Sequence, residues 1–332
     1  MSTSQQKTLE DFIHLQERSV LTHAIRAAVE LGVVTSLRER QKTADELASE
    51  LEVDPAALAR LMNVLTASEL IEKYGEDYAL STIARLIPDQ FLDFGDVHWK
   101  HLAEHIKTGT PLPVREGVAF TDLDYAMNKA SEEWTLTPTA LSAAQVLDLG
   151  KSRRGLRILE VGCGSAVFGA TMAHADPDSV VNLLDDRFGL ERARQTIESV
   201  DLDRQVNYIE GDLDGDLTSI PELVDQTFDL VLLAGQIHRK NRQQCQKLFA
   251  QLHTLVKPER ELAIVDIFPG QENGETERSI FELELGLRSS QGQLHDPNWI
   301  KETLSECGFE QIQFAHLPSP PFYWGLVLAQ RS

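Results

Sequence analysis

From Thr8 to about Arg40, apolar side chains at Leu9, Phe12, Ile13, Leu15, Val20, Leu21, Ile25, Ala28, Val29 and Leu31 recur at helical spacing and meet a natural stop at Gly32. The segment TADELASEL then opens on Thr43 with Glu46 three residues on, a capping-box pattern. A further helix starts at Asp54-Pro55, where proline suits a first turn. LIEKYGEDYALS reads as two strands around Gly75-Glu76-Asp77. Helix, helix, hairpin is the order of a winged helix-turn-helix, which predicts a mostly helical module over residues 1–95.

The pattern stays helical from Asp96 to Gly150, broken by the loop TGTPLPVREG, whose prolines mark a chain reversal. KSRRG, Lys151 to Gly155, is polar and short, and the composition changes there. Five apolar runs follow, RILEV, SVVNLLD, VNYIE, FDLVLL and ELAIVDIF, with helical sequence between most of them. That alternation predicts an α/β domain over 151–332 with a mostly parallel sheet covered on both faces. The last two runs, FEQIQFAHL and YWGLVLAQ, are separated by a joint too short for a crossover, so they form an antiparallel hairpin. Residues 96–150 make a helical bridge between the two modules.

Size and charge narrow the function. With 332 residues, 42% apolar, the chain has room for two cored domains. Its 52 acidic against 31 basic residues give a net charge of −21, which repels phosphate backbones and anionic lipid. The candidate recognition helix from Asp54 to Ser68 carries only Asp54 and Arg60, and the wing sets Glu72, Glu76 and Asp77 against Lys73. A groove reader needs more cations, so the module is expected to pack against another subunit, with no nucleic-acid partner. No apolar run approaches the roughly 20 residues that span a bilayer, and the start lacks a basic-then-apolar leader pattern. A cytoplasmic protein without a membrane partner is expected. Cys163, Cys245 and Cys307 are scattered, so neither a disulfide framework nor a metal site is indicated.

The chemistry gathers where the strands of the second module end. The first runs into Glu160-Val161-Gly162-Cys163-Gly164-Ser165-Ala166 and then a helix, a turn whose glycines let a ligand approach the backbone. The third glycine of a dinucleotide fingerprint is replaced by Val167, so a nicotinamide site is not expected. The second strand ends at Asp185-Asp186, where a carboxylate can accept from both hydroxyls of a ribose. Neighbouring side chains face opposite ways, so one of the two faces the crevice while the other can cap the following helix. The third strand ends in Glu210-Gly211-Asp212-Leu213, bringing a further carboxylate to the same edge.

Glu160 to Ala166, Asp185, Gly211-Asp212-Leu213 and FDLVLLAGQIH together resemble the class I S-adenosylmethionine-dependent methyltransferases. The N-terminal module, the helical bridge and PNWIKETLSECGFEQIQ extend the likeness to the two-domain small-molecule O-methyltransferases of the caffeate, hydroxyindole and polyketide-tailoring type. The resemblance covers nearly the whole chain. It implies a Rossmann-like sheet behind a winged-helix dimerisation domain, a homodimer, S-adenosyl-L-methionine as cofactor, and a small aromatic or polyketide-like acceptor. Cofactor binding then falls to Gly162, Gly164, Asp185, Asp212 and Leu213.

The same resemblance makes His238 the general base and Asp266 the acid that orients it. An imidazole near pKa 6.5 suits a phenol near 10 as proton acceptor, about as these groups stand in water. The segment Ile237-His238-Arg239-Lys240 keeps the family's histidine but not the acid and tryptophan that follow it. Arg239, Lys240 and Arg242 would oppose protonation of His238 if they approached it, and would matter little if they splayed into water. A second flanking acid is replaced by Leu294 in Gly292-Gln293-Leu294-His295-Asp296, leaving His295 or Asp296 as substitutes. Glu282 and Glu284 read instead as an exposed helix face. Trp99, Phe120, Tyr125, Trp134 and Phe281 read as core aromatics. Cys163, beside a helix start, is expected to be covered by cofactor rather than to act as a nucleophile. The altered surroundings of His238 keep open a rival in which the cofactor serves hydroxylation, decarboxylation or rearrangement, and the winged helix keeps open a metabolite-sensing regulator.

Overall fold

The computed structural model describes residues 3–86, 99–111, 133–270, 274–317 and 323–332. Two compact units emerge, Met1–Lys100 and His101–Ser332.

In the first unit a helix runs over Thr3–Glu30 and a second over Val33–Glu39. Gly32 joins them at φ 81°, a left-handed conformation that a residue with a Cβ adopts at a cost. A short strand β1 (Lys42–Thr43) leads into the helix Ala44–Glu50, whose capping box is formed: Thr43 accepts from the Glu46 N–H and the Glu46 side chain accepts from the Thr43 N–H. Asp54 caps the helix Pro55–Ala67 by accepting from the Ala57 N–H at 2.7 Å, with proline in the first turn. Strands β2 (Ile71–Tyr74) and β3 (Asp77–Leu80) form the hairpin, and β1 joins it in the order β1-β3-β2. Ala28, Val33, Leu47, Met62 and Leu65 are fully or almost fully shielded from water and hold this unit together. Burying such a side chain stabilises by roughly 1.5–3 kcal/mol.

The second unit is a seven-stranded sheet. Its strands are β4 (Arg157–Val161), β5 (Val180–Asp185), β6 (Val206–Glu210), β7 (Phe228–Ala234), β8 (Val256–Asp266), β9 (Phe309–His316) and β10 (Gly325–Arg331). They lie in the order β6-β5-β4-β7-β8-β10-β9. The first five are parallel; β10 runs antiparallel to both β8 and β9, giving the expected terminal hairpin. The proline-rich joint of that hairpin, 318–322, lies outside the described residues, as do 112–132, which hold most of the expected bridge loop together with Phe120 and Tyr125.

Alternation along the strands feeds two cores. Ile158, Leu183, Leu230 and Leu232 pack on one face of the sheet, and Leu159, Leu184, Val231 and Leu233 on the other. β8 begins at Val256, five residues before the apolar run ELAIVDIF. Its leading KPERE is polar and largely exposed, and between Phe228 and Leu230 the register opposite moves from Val256 to Glu261. The polar lead-in carries no strand signature of its own, and pairing with β7 places it.

One consequence of the strand order matters for function. The chain leaves β4 towards β5 on one side and later returns to place β7 on the other. In open α/β sheets, the crevice beyond the strand ends at such a reversal is where ligands sit.

Candidate active site

The turn after β4 forms one wall of that crevice. Gly162 at φ 75° and Gly164 at φ 55° fold the chain tightly back before the helix Val167–Ala175. A Cβ on Gly162 would sit 2.5 Å from the Gln236 side chain, and one on Gly164 would sit 2.6 Å from the Glu133 carboxylate. The bare backbone is therefore what these side chains lie against. Gln236 donates from its amide to the Gly162 carbonyl at 2.8 Å, tying the segment after β7 to the glycine turn. Glu133 accepts from the Ser165 N–H at 2.5 Å.

The adjacent acids behind the turn separate as strand geometry requires. Asp185 accepts from the Gly164 N–H at 2.7 Å and from the Asp186 N–H at 2.8 Å. Asp186 caps the helix Arg187–Ser199 through the Gly189 N–H. Glu160, on β4, is buried, and its Oε2 has no hydrogen-bond partner among the described residues. Burial pushes the Glu133 and Asp185 carboxyls above their ordinary range and the Glu160 carboxyl well above it. Three acids gather in this poorly solvated corner, where the buried Arg192 guanidinium offsets part of the rise at Glu133 and Asp185. Asp212 is exposed and accepts from the Asp214 N–H at 2.9 Å, while Leu213 packs against the core of the sheet.

The opposite wall is the short helical turn Ile237–Arg239 after β7, which carries His238. Asp266 ends β8 with no exposed surface and receives the His238 Nδ1 at 2.7 Å. It also accepts from the Ile237 N–H at 3.0 Å and the Ile267 N–H at 2.7 Å. Because a carboxylate accepts, Nδ1 is the donor to Asp266, and in the neutral ring the lone pair is on Nε2. Phe281 meets the imidazole edge-to-face, centroids 5.0 Å apart at 78°. Of the nearby cations, Lys240 pairs with Asp214, Arg242 lies over the Trp299 ring, and Arg239 lines the cavity.

A single cavity of about 550 Å³ joins the walls. Glu133, Gly162, Cys163, His238, Phe281 and Trp324 all line it. The geometry thus brings Gly162 and His238 together, with Asp266 behind the imidazole and Gln236 bridging the two walls. Gly164, Asp185, Asp212 and Leu213 do not line this cavity; Glu133 lies between it and Gly164.

Several expectations change. Phe281, read as core, lines the cavity because the helix Glu275–Arg288 presents Glu277, Ile280, Phe281 and Glu284 to it at helical spacing. Glu284, read with Glu282 as an exposed face, is half-buried on that same side and paired with Arg288; Glu282 is exposed. Asp296 does not replace the missing acid: it caps the helix Pro297–Glu306. His295 is buried but reaches backbone rather than the His238 ring. Trp99 is half-buried and does not line the cavity, and the Trp134 side chain falls outside the described residues. Cys163 is buried, and burial pushes its thiol well above the ordinary range, which argues against a nucleophile. Glu133 and Gln236 were not singled out by the sequence. Gln236 sits two residues before His238 in the quoted FDLVLLAGQIH, which is the one signal that could have found it.

Comparison with known proteins accords with this arrangement. Residues 13–88 match the O-methyltransferase dimerisation domain, and residues 158–259 match a methyltransferase domain. The mitomycin biosynthesis 6-O-methyltransferase of Streptomyces lavendulae is 25% identical over 263 residues, 73% of each chain. Human N-acetylserotonin methyltransferase, solved in complex with S-adenosylmethionine, superposes with TM-score 0.75 at 18% identity, covering 100% of both chains. Mitomycin 7-O-methyltransferase does so with TM-score 0.74 at 20% identity, again over 100% of both. The chain belongs to the class I S-adenosylmethionine-dependent methyltransferases, in their two-domain O-methyltransferase family.

Proposed function

We propose that the protein transfers a methyl group from S-adenosylmethionine to a hydroxyl of a small aromatic or polyketide-like molecule, with His238 as general base. The observation that carries this reading is the Asp266-held imidazole lining the same cavity as the glycine turn. The residues fit the cofactor: glycines at the turn, a Glu160 oxygen without a partner among the described residues, and two further acids suit a positively charged ligand. Gly162 would face it directly, and Gly164 and Asp185 would be reached once the Glu133 carboxylate gives way, Asp185 then taking its ribose hydroxyls and Asp212 and Leu213 flanking its base, in line with the family pattern.

When bound, S-adenosylmethionine supplies a methyl group activated by a positively charged sulfur. Everything else falls to the chain. The Nε2 lone pair of His238 takes the proton of the acceptor hydroxyl, and Asp266 steadies the resulting imidazolium. Phe281, Trp324, Ile267 and Leu136 give the cavity an apolar lining that suits an aromatic acceptor and disfavours water. The mitomycin methyltransferase relative supports a hydroxyl on a small metabolite as the target.

The protein also works as a homodimer in the cytoplasm. Support for the dimer comes from the matched dimerisation domain and from the first helix, where Phe12 is 55% and Leu15 66% exposed. Among the described residues no single helix is long and apolar enough to cross a membrane.

Incubation with the methyl donor and a panel of phenols, read by mass spectrometry, tests the reaction. A gain of one methylene in the acceptor is expected, and His238→Ala should lower turnover by about 10²- to 10⁴-fold while binding of S-adenosylhomocysteine persists. Unchanged turnover in that variant removes the base assignment. A converted acceptor without the added mass, with the cofactor recovered intact, favours the non-methylating rival.

A further inference from the structure

The segment Gly292–Asp296, where the resemblance places a second acid, carries Leu294 in its stead. Its polar groups turn to the backbone of the His238 turn. The Gln293 N–H donates to the His238 carbonyl at 2.9 Å. His295 Nε2 lies 3.0 Å from the Ile237 carbonyl and 2.9 Å from the Lys240 carbonyl. Carbonyls only accept, so Nε2 carries the hydrogen and shares it between them. Nδ1 is buried with no partner among the described residues, which suits a neutral ring, and burial pushes the imidazole below its ordinary pKa.

The ring has little freedom to leave this position. It is 2% exposed and stacks on Trp299, centroids 4.8 Å apart at 28°. Cys245 Sγ lies 3.5 Å from Nε2, but burial raises that thiol to about 12, so the pair is not a reactive dyad. Asp266 fixes the His238 ring from one side, and Gln293 and His295 grip carbonyls at and on both sides of the residue.

We infer that His295 is a positioning residue for His238: as the Nε2–H tautomer it clamps the Ile237 and Lys240 carbonyls and so sets where the catalytic imidazole sits in the cavity. This rests on the reading of His238 as the base. A methyl-transfer geometry displaced by about 1 Å can lose a hundredfold in rate, so a backbone clamp without substrate contact is enough to matter.

The test compares full-length His295→Leu and His295→Gln with the unaltered protein. Leu removes the N–H donor, whereas Gln can return one at a similar reach. Three quantities are read: turnover, S-adenosylhomocysteine affinity by calorimetry, and the low-field proton NMR signal of the His238 Nδ1–H on Asp266. Leu should lower kcat about 10- to 100-fold, leave cofactor-product affinity within about twofold, and shift or erase the low-field signal. Gln should restore the signal and bring kcat back to within about threefold. Should His295→Leu fail to fold, His295→Asn, with its shorter amide, takes its place and must show the same split.

Turnover and signal both preserved in Leu would overturn the inference. So would equal losses in Leu and Gln with the signal intact, or cofactor affinity falling in step with kcat. A parent protein that binds S-adenosylhomocysteine but methylates nothing instead sinks the functional reading, and the NMR comparison still decides the positioning role.

Discussion

At the scale of single residues, the proposed catalysis rests on a histidine and an aspartate that lie 2.7 Å apart. Asp266→Asn should lower turnover by about 10²- to 10⁴-fold, since the amide can present a donor where Nδ1–H needs an acceptor. The double variant with His238→Ala should be no slower than the worse single one, because both act on the same proton; steady-state kinetics of the three proteins checks this. At the glycine turn, Gly162→Ala combines a left-handed φ of 75° with a Cβ 2.5 Å from Gln236, so affinity for the methyl donor should fall by about tenfold, read by calorimetry. Legibility at this scale followed covalent proximity. Gly162 could be picked out because it follows an apolar strand run directly, whereas His238 and Asp266 were legible through the family resemblance. Gln236 meets Gly162 across 74 residues of chain, and Glu133 meets Ser165 across 32, so no local pattern reveals either pairing.

At the scale of elements, one acid holds three strand beginnings together. Asp229, near the start of β7, accepts from the Arg157 N–H of β4 and from the Lys257 ammonium of β8, both at 2.9 Å. Burial alone would push this carboxyl up, but the Arg157 N–H and Lys257 more than offset it and hold it below the ordinary range. A lowered folded-state pKa means the stabilisation is present above the unfolded carboxyl's value and lost as pH falls through the folded one. Asp229→Asn should therefore cost about 1 kcal/mol at neutral pH, and its urea midpoint should converge on that of the parent protein as pH drops below about 4. The central strands were legible as near-continuous apolar runs because both sheet faces are buried. The start of β8 was not, since its exposed KPERE owes its conformation to β7 and to Arg331, whose guanidinium donates to the Val256 carbonyl.

At the scale of the whole molecule, the two modules and the cavity follow different rules of legibility. The winged-helix order and the parallel-sheet rhythm are both periodic and stand out in the sequence, whereas the cavity is assembled from segments as far apart as Glu133 and Trp324 and takes shape only on folding. The side chains from Ser4 to Val20 are all exposed, including Leu9, Phe12, Ile13 and Leu15. An apolar stripe of that kind is costly to leave in water. The proposed dimer should dissociate when Phe12→Asp and Leu15→Asp are combined, with light scattering falling from twice the chain mass to 37.1 kDa.

The sulfur inventory has a practical corollary. Cys163 and Cys245 are enclosed, while Cys307, at the end of the helix Pro297–Glu306, is the thiol that reaches the surface. A maleimide dye applied at mildly alkaline pH should attach there first, giving a fluorescent handle at one chosen position without any engineered residue, and peptide mapping would show where the label landed.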